Sequence, residues 1–217
     1  MIESGRKKTA MLAWALGIVS VAALFSYGGF YLYERSLRDD VLAGLSLDIK
    51  APTFTLTDQQ NKSFSSSELT GKVAVFDFIY TRCGASCPML TGSMARLQSK
   101  FSGVSGLMFV SVSVDPLHDR PEVLSHYAET HGANLGNWAF LTSPGTKIDD
   151  LIESGFKLPV YPLDVREPNG LVVNIPHTST IVLMDQQGHI RAYFEGIEQG
   201  SWGLLEKDIQ ALLDLPS

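Results

Sequence analysis

The sequence predicts an α/β domain with parallel core strands, an antiparallel hairpin that completes the sheet and helices on both faces, preceded by one apolar span. Three observations predict it. Strand-length apolar runs alternate with stretches of helical periodicity through the middle of the chain. A turn-rich pentapeptide separates two further apolar strands near the C-terminus, and no residue from Thr9 to Tyr33 is charged. At 217 residues, 45% hydrophobic and 18% charged, the chain has the length for one packed domain with an appendage.

The appendage comes first. Residues 1–8 are a short N-terminus and 9–33 an apolar stretch longer than the roughly 20 residues that span a bilayer, so a transmembrane helix is expected there. Arg6, Lys7 and Lys8 precede it, whereas Glu34, Arg35, Arg38, Asp39 and Asp40 follow. That asymmetry puts the N-terminus in the cytoplasm and the rest in the periplasm, or an equivalent intermembrane compartment. A cleaved signal peptide would have a shorter apolar core and a small-x-small site, which Ser26-Tyr27-Gly28-Gly29-Phe30 does not supply. Residues 34–51 read as a tether and 52–217 as the domain. Setting aside the five basic and two acidic residues up to Arg38 leaves 12 basic against 21 acidic, a formal charge of −9. Such a balance excludes a phosphate-neutralising nucleic-acid surface.

Within the domain, Phe54–Asp58 alternates like a strand, Gln59–Lys62 is turn-like and Ser63-Phe64 returns as a hairpin arm. Ser65-Ser66-Ser67-Glu68 fits a capping box for a short helical turn that ends before Gly71. Val73–Ile79 is an apolar strand, and Leu90, Met94, Leu97 and Phe101 give a helix over Pro88–Phe101. Leu107–Val114 is a second strand, Pro121–His131 a helix with proline in its first turn, Phe140-Leu141 a short strand, and Lys147–Ser154 a helix stopped by Gly155. A loop interrupted by Pro159, Pro162, Pro168 and Pro176 leads to Thr180–Met184 and Ile190–Phe194, two hairpin arms around Asp185–His189. Ser201–Leu213 closes the chain as an amphipathic helix. This order of elements is the thioredoxin-like plan.

The chain has two cysteines, in Cys83-Gly84-Ala85-Ser86-Cys87-Pro88, where a buried strand passes through a turn into a helix. Three readings fit that placement. A disulfide across so small a loop is sterically allowed but stabilises little. A redox dithiol profits from the helix N-terminus, although thioredoxin-type pairs normally have two intervening residues where this pair has three. Two thiolates and one further ligand make a soft three-coordinate site suited to Cu(I). Among the histidines, His126 and His131 fall on a surface helix, His118 in a polar loop and His189 in a hairpin turn. His177 precedes a strand where this plan puts a loop facing the cysteine turn, and the cysteine pair shifts its reading toward ligation.

The segment Asp77-Phe78-Ile79-Tyr80-Thr81-Arg82-Cys83-Gly84-Ala85-Ser86-Cys87-Pro88 resembles the aromatic-Thr-x-Cys-x-x-x-Cys-Pro motif of the Sco/SenC copper-binding proteins. Val112–Glu122 is similar to that family's strand and acidic turn, and His177-Thr178 with Gly188 eleven residues later to its His-Ser/Thr strand and following turn. The resemblance covers about residues 52–213. It implies a membrane-anchored thioredoxin-like protein that binds copper, as Cu(I) with Cu(II) as the alternative, through Cys83, Cys87 and His177. It further implies help in delivering copper to a respiratory cytochrome c oxidase. The family usually carries proline after its first cysteine and often aspartate next, and Gly84-Ala85-Ser86 has neither; Asp77 and Ile79 stand where many members have an apolar residue and glycine.

On this reading the protein is a metallochaperone and not an enzyme in the turnover sense. Its partners are the copper-bearing subunit of the oxidase, an upstream copper donor and a thiol reductant, since the cysteines must be reduced to bind metal. The competing reading is a thiol-disulfide oxidoreductase, with Cys83 and Cys87 as the redox pair, that keeps the copper-ligand cysteines of an oxidase subunit reduced. Asp77 would suit that chemistry as a proton acceptor, or is simply paired or solvated. A thioredoxin-like peroxidase is disfavoured by the second cysteine.

Overall fold

The computed structural model describes residues 20, 22–30, 32, 45–84, 86–143, 148–159 and 178–215, together with the backbone of 161–166 and 172–177. Contacts divide the chain into two units, 1–44 and Leu45–Ser217. In the first, residues 22–30 are helical and Leu24, Phe25, Tyr27, Phe30 and Leu32 are exposed. Among the described residues no helix is long and apolar enough to cross a membrane. Most of the span expected over 9–33 lies outside them.

The second unit is built on a mixed sheet. Its strands are β1 (Ile49–Lys50), β2 (Thr55–Asp58), β3 (Ser63–Ser65), β4 (Val73–Ile79), β5 (Leu107–Ser113), β6 (Trp138–Thr142), β9 (Thr180–Met184) and β10 (His189–Glu195). They lie in the order β1-β10-β9-β4-β5-β6-β2-β3. β4, β5 and β6 run parallel, and β9 returns antiparallel on the other edge of β4. This is the expected parallel core completed by a hairpin. In the stretch read as tether, Leu45 is buried and β1 pairs with β10.

Local chemistry explains the connections. The β2–β3 hairpin turns at Asp58, whose Oδ1 accepts from the Gln60 and Lys62 amides, with Asn61 at φ 61°, a conformation asparagine tolerates. Ser65 caps a 3₁₀ turn, Ser66–Leu69, and Glu68 reaches back to its backbone, so the capping box forms as the sequence predicts. The β9–β10 hairpin turns on Asp185 Oδ1, which takes the Gln187 and His189 amides, and on Gly188 at φ 82°.

Helices α1 (Ser86–Lys100), α2 (Pro121–Thr130), a short α3 (Ile148–Asp150) and α4 (Gln199–Leu213) occupy the predicted places. The expected helix over Lys147–Ser154 differs. After α3 the chain takes one π turn, Leu151–Gly155, closed by Phe156 N–H to Leu151 O (2.9 Å), and Lys147 lies outside the described residues. The proline-interrupted loop also holds structure the sequence reading lacked. β7 (Tyr161–Arg166) and β8 (Val172–His177) pair antiparallel as a separate ribbon with Pro162 opposite Pro176. Two prolines can face each other only in a non-hydrogen-bonded pair, where the missing N–H groups would point outward from a two-stranded ribbon.

β4 is buried at all seven positions. Ala74, Phe76 and Phe78 share one face with Val110 and Val112 of β5 and with Ile148, Ile152 and Phe156. Phe156 meets Phe76 at 5.0 Å and Phe78 at 5.4 Å between ring centroids, and its carbonyl accepts from Tyr193 Oη. Val73, Val75, Asp77 and Ile79 take the other face by alternation. Asp77 lies level with Ser111, whose hydroxyl accepts from Trp138 Nε1 (2.9 Å).

Asp77 is fully buried, and neither of its carboxyl oxygens has a hydrogen-bond partner among the described residues. Burial pushes its pKa from the ordinary 3.8 up to about 7, and the nearby Ser111 hydroxyl counters this only in part, being outside hydrogen-bond geometry to Asp77. The folded state therefore holds this proton more tightly than the unfolded chain. Its contribution is full below about pH 4 and is lost as pH rises through about 7. Wild type should lose about 2 to 3 kcal/mol more than Asp77→Asn between pH 5 and pH 8, measured by urea denaturation; equal slopes would contradict an ionisable buried Asp77. By the same assay at pH 5, Phe156→Ala should cost about 3 to 5 kcal/mol, since the π turn cannot close the cavity left among Phe54, Phe76 and Phe78.

Candidate metal centre

The cysteine turn begins where β4 stops. Ile79 O accepts from Val114 N–H (2.8 Å), and Cys83 N–H bonds Tyr80 O (3.2 Å), which turns the chain toward α1. Cys87 lies in the first turn of α1, and its amide donates to Cys83 Sγ at 3.3 Å. The sulfur thus does the work of an N-cap oxygen for a helix end that would otherwise leave that N–H unpaired. Ser86 Oγ sits 3.7 Å from the same sulfur. Neither cysteine is in a disulfide, and both are buried, Cys83 at 8% and Cys87 at 3% exposure. Ala85 lies outside the described residues.

Burial pushes the Cys87 thiol up to about 12; a Tyr80 backbone hydrogen bond eases this slightly, while Cys83 and the buried Asp77 add to it. Tyr80 is raised well above the usual phenol by burial and by its hydrogen bond with Cys83. At neutral pH Cys87 is a protonated thiol. It is poorly activated as a nucleophile, but a soft cation would displace its proton on binding.

Two carboxylates from the loop between β5 and α2 hold the residues just before Cys83. Asp119 accepts from Thr81 N–H (3.1 Å), Thr81 Oγ1 (2.5 Å) and Ser113 Oγ (2.6 Å). Asp115 takes Arg82 Nε (3.1 Å) and Nη2 (2.6 Å), and its other oxygen meets His118 Nδ1 at 2.9 Å. The sequence offered only an acidic turn here; a carboxylate spaced 38 residues from its partner leaves no local pattern to read.

The remaining histidines have settings of their own, and His189, read as part of the hairpin turn, instead opens β10. His131 Nδ1 is 2.9 Å from Tyr127 O with its ring against Tyr127, His189 Nδ1 is 3.2 Å from Asp48, and His126 is exposed. His177 ends β8 opposite Tyr161, three residues before β9 begins. Because β9 is antiparallel to β4, its start lies at the sheet end where β4 gives way to the cysteine turn. The His177 side chain lies outside the described residues, and among the described ones no three His, Cys, Asp or Glu gather as a metal site.

The loop between His177 and β9 closely approaches the cysteine helix. Thr178 Oγ1 accepts from Thr180 N–H (3.3 Å), and Gly196 N–H bonds Ser179 O (2.9 Å). A Cβ on Gly196 would stand 2.4 Å from Leu90 Cδ1 of α1 and 2.6 Å from Ser179 O, so only glycine permits this contact. A groove of about 610 Å³ runs from Ser86 and Pro88 between α1 and α4, with Met89, Arg96, Ile197 and Trp202 in its walls.

Comparison with known proteins supplies the context. The sequence model of the SCO1/SenC family matches residues 45–213. The SCO1 protein homolog of Bacillus subtilis (strain 168) is 30% identical over 166 residues, covering 76% of this chain and 83% of that protein. A Stutzerimonas stutzeri protein whose name proposes copper binding is 25% identical over 144 residues, 65% of this chain and 67% of its own length. Among solved structures, BsSco, described as a member of the Sco family of cytochrome c oxidase assembly proteins with a disulfide switch, superposes with a TM-score of 0.65 at 28% identity. That superposition covers 78% of this chain and 96% of BsSco. With the family match spanning the whole sheet, both cysteines and the strand that ends at His177, the chain belongs to the SCO1/SenC family.

Proposed function

We propose that this protein is a membrane-anchored copper carrier that assists delivery of copper to, and assembly of, a respiratory cytochrome c oxidase. Copper is its cargo, held by Cys83, Cys87 and His177. The observation that carries the reading is the pair of buried, unbridged cysteines joined by the Cys87 N–H to Cys83 Sγ bond. Soft sulfur donors shielded from water and in need of a cation for deprotonation suit Cu(I), while Cu(II) would lean more on the imidazole. His177 supports a third position because its strand leads into β9 beside β4. The copper named for one relative and the oxidase assembly named for another agree with this chemistry.

Anchoring rests on the uncharged stretch 9–33, preceded by 1–8 in the cytoplasm and followed by a tether, whose last residues from Leu45 already belong to the folded unit, and by the periplasmic or intermembrane domain. The exposed apolar side chains of the helical residues 22–30 fit a lipid-facing segment. Partners on this reading are the copper-bearing oxidase subunit, a copper donor and a thiol reductant.

A second reading, thiol-disulfide exchange that maintains an oxidase subunit's copper-ligand cysteines, is favoured by the closeness of the two thiols and by Asp77 buried near enough for its charge to act on Cys87. The raised Cys87 thiol weighs against it as the main activity.

Competition titration with a Cu(I) chelator separates the two. Reduced wild type should bind one copper, oxidation of the pair should abolish binding, and His177→Ala should weaken it on the order of 100-fold or more with unchanged circular dichroism. An unaffected His177→Ala would remove the third ligand; no binding by reduced wild type would leave the exchange reading.

A further inference from the structure

Thr81 is the residue through which the distant loop grips the cysteine turn. Its amide and its hydroxyl both donate to one carboxylate, Asp119, which also accepts from Ser113 Oγ. Asp119 is itself fully buried, and its backbone is fixed by the bond from its amide to Asp115 O (2.9 Å) immediately before α2. Burial raises its pKa, and its hydrogen bonds from Ser113 and Thr81 pull the other way. A buried carboxylate costs folding free energy that an apolar side chain of the same shape would not. Three donors converging on this one hold a particular loop geometry instead. Only Arg82 separates Thr81 from Cys83, and Arg82 is held by Asp115. With both preceding residues held, the chain enters Cys83 from a fixed direction, and its sulfur stands 3.3 Å from the Cys87 amide.

We propose that Asp119 is the positioning residue of the cysteine turn: through Thr81 it holds Cys83 in the reduced, metal-receiving arrangement against Cys87. The metal half of this statement rests on the copper reading above, and the dithiol half does not. In the structure the bonds to Asp119 coexist with cysteines that form no disulfide. A disulfide requires the sulfurs to close to about 2.05 Å, and Cys83 Sγ would then give up the bond from the Cys87 amide that it makes in the anchored turn. Loss of the grip therefore favours the disulfide and weakens metal binding together.

The test uses the full chain in detergent, free of metal, equilibrated with oxidised and reduced dithiothreitol. In that exchange Cys83 and Cys87 give two electrons and two protons to the reagent and form one disulfide. Asp119→Ala should shift the equilibrium toward the disulfide by about fivefold or more, the size expected from losing hydrogen bonds to a charged group. Asp119→Asn should stay within about twofold of wild type, because its amide oxygen can accept from Thr81 N–H and Ser113 Oγ while its NH₂ donates to Thr81 Oγ1. A folded Asp119→Ala with the wild-type equilibrium overturns the proposal, as does Asp119→Asn shifting as far as the alanine. Should Asp119→Ala not fold, Thr81→Val removes one arm of the grip and should move the equilibrium about twofold in the same direction; no movement overturns the proposal. Cu(I) titration of the same proteins keeps the two claims apart. A wild type that takes no copper sinks the metal reading alone, whereas a copper-binding wild type with an unshifted Asp119→Ala sinks the role of Asp119.

Discussion

The pairing of β4 with β5 on one edge and β9 on the other is the constraint from which the rest of this structure follows. Seven consecutive buried residues leave β4 no alternative but the centre of the sheet. A parallel neighbour on one side and an antiparallel neighbour on the other bring three chain segments to a single sheet end: the cysteine turn after β4, the acidic loop after β5 and the stretch from His177 into β9. None of these is close to the others in sequence. A register slip of one residue in β4 would turn Phe76 and Phe78 away from Phe156 and carry Thr81 out of reach of Asp119.

On the proposed reading, the buried Cys87 thiol suits holding a cation more than attacking a disulfide. A reactive cysteine at a helix N-terminus is normally exposed and near positive charge. Here Cys87 is 3% exposed, its thiol is pushed up, and the buried Asp77 carboxyl adds to that rise. An ionised Asp77 would oppose a thiolate above it, so deprotonation of the pair is coupled to whatever positive charge arrives. The acidic loop adds order without adding a cation at the sulfurs, since the Arg82 guanidinium is engaged by Asp115.

Most of the fold was legible in the sequence because it rests on patterns that are local. β4 and β9 coincide with the apolar runs, the capping box at Ser65 reads directly from Ser-x-x-Glu, and α1 follows from Leu90, Met94 and Leu97. What escaped was non-local or disguised. β7 and β8 were hidden by Pro162 and Pro176, which read as loop until their face-to-face register shows why both are tolerated. The π turn after α3 has no periodicity to distinguish it from ordinary helix. At the site, both cysteines and the strand leading from His177 were visible as motif. The grip of Asp119 on Thr81 and the unpaired burial of Asp77 depend on partners across the sheet that spacing cannot reveal.

On the proposed reading, Cys83, Cys87 and His177 converge on one soft metal. X-ray absorption at the copper edge of the reduced, Cu(I)-loaded protein addresses it most directly. The expected ion is three-coordinate, with two sulfurs at thiolate distance and one nitrogen from imidazole. A copper ion bound by sulfur alone, or by nitrogen and oxygen without both sulfurs, would contradict it.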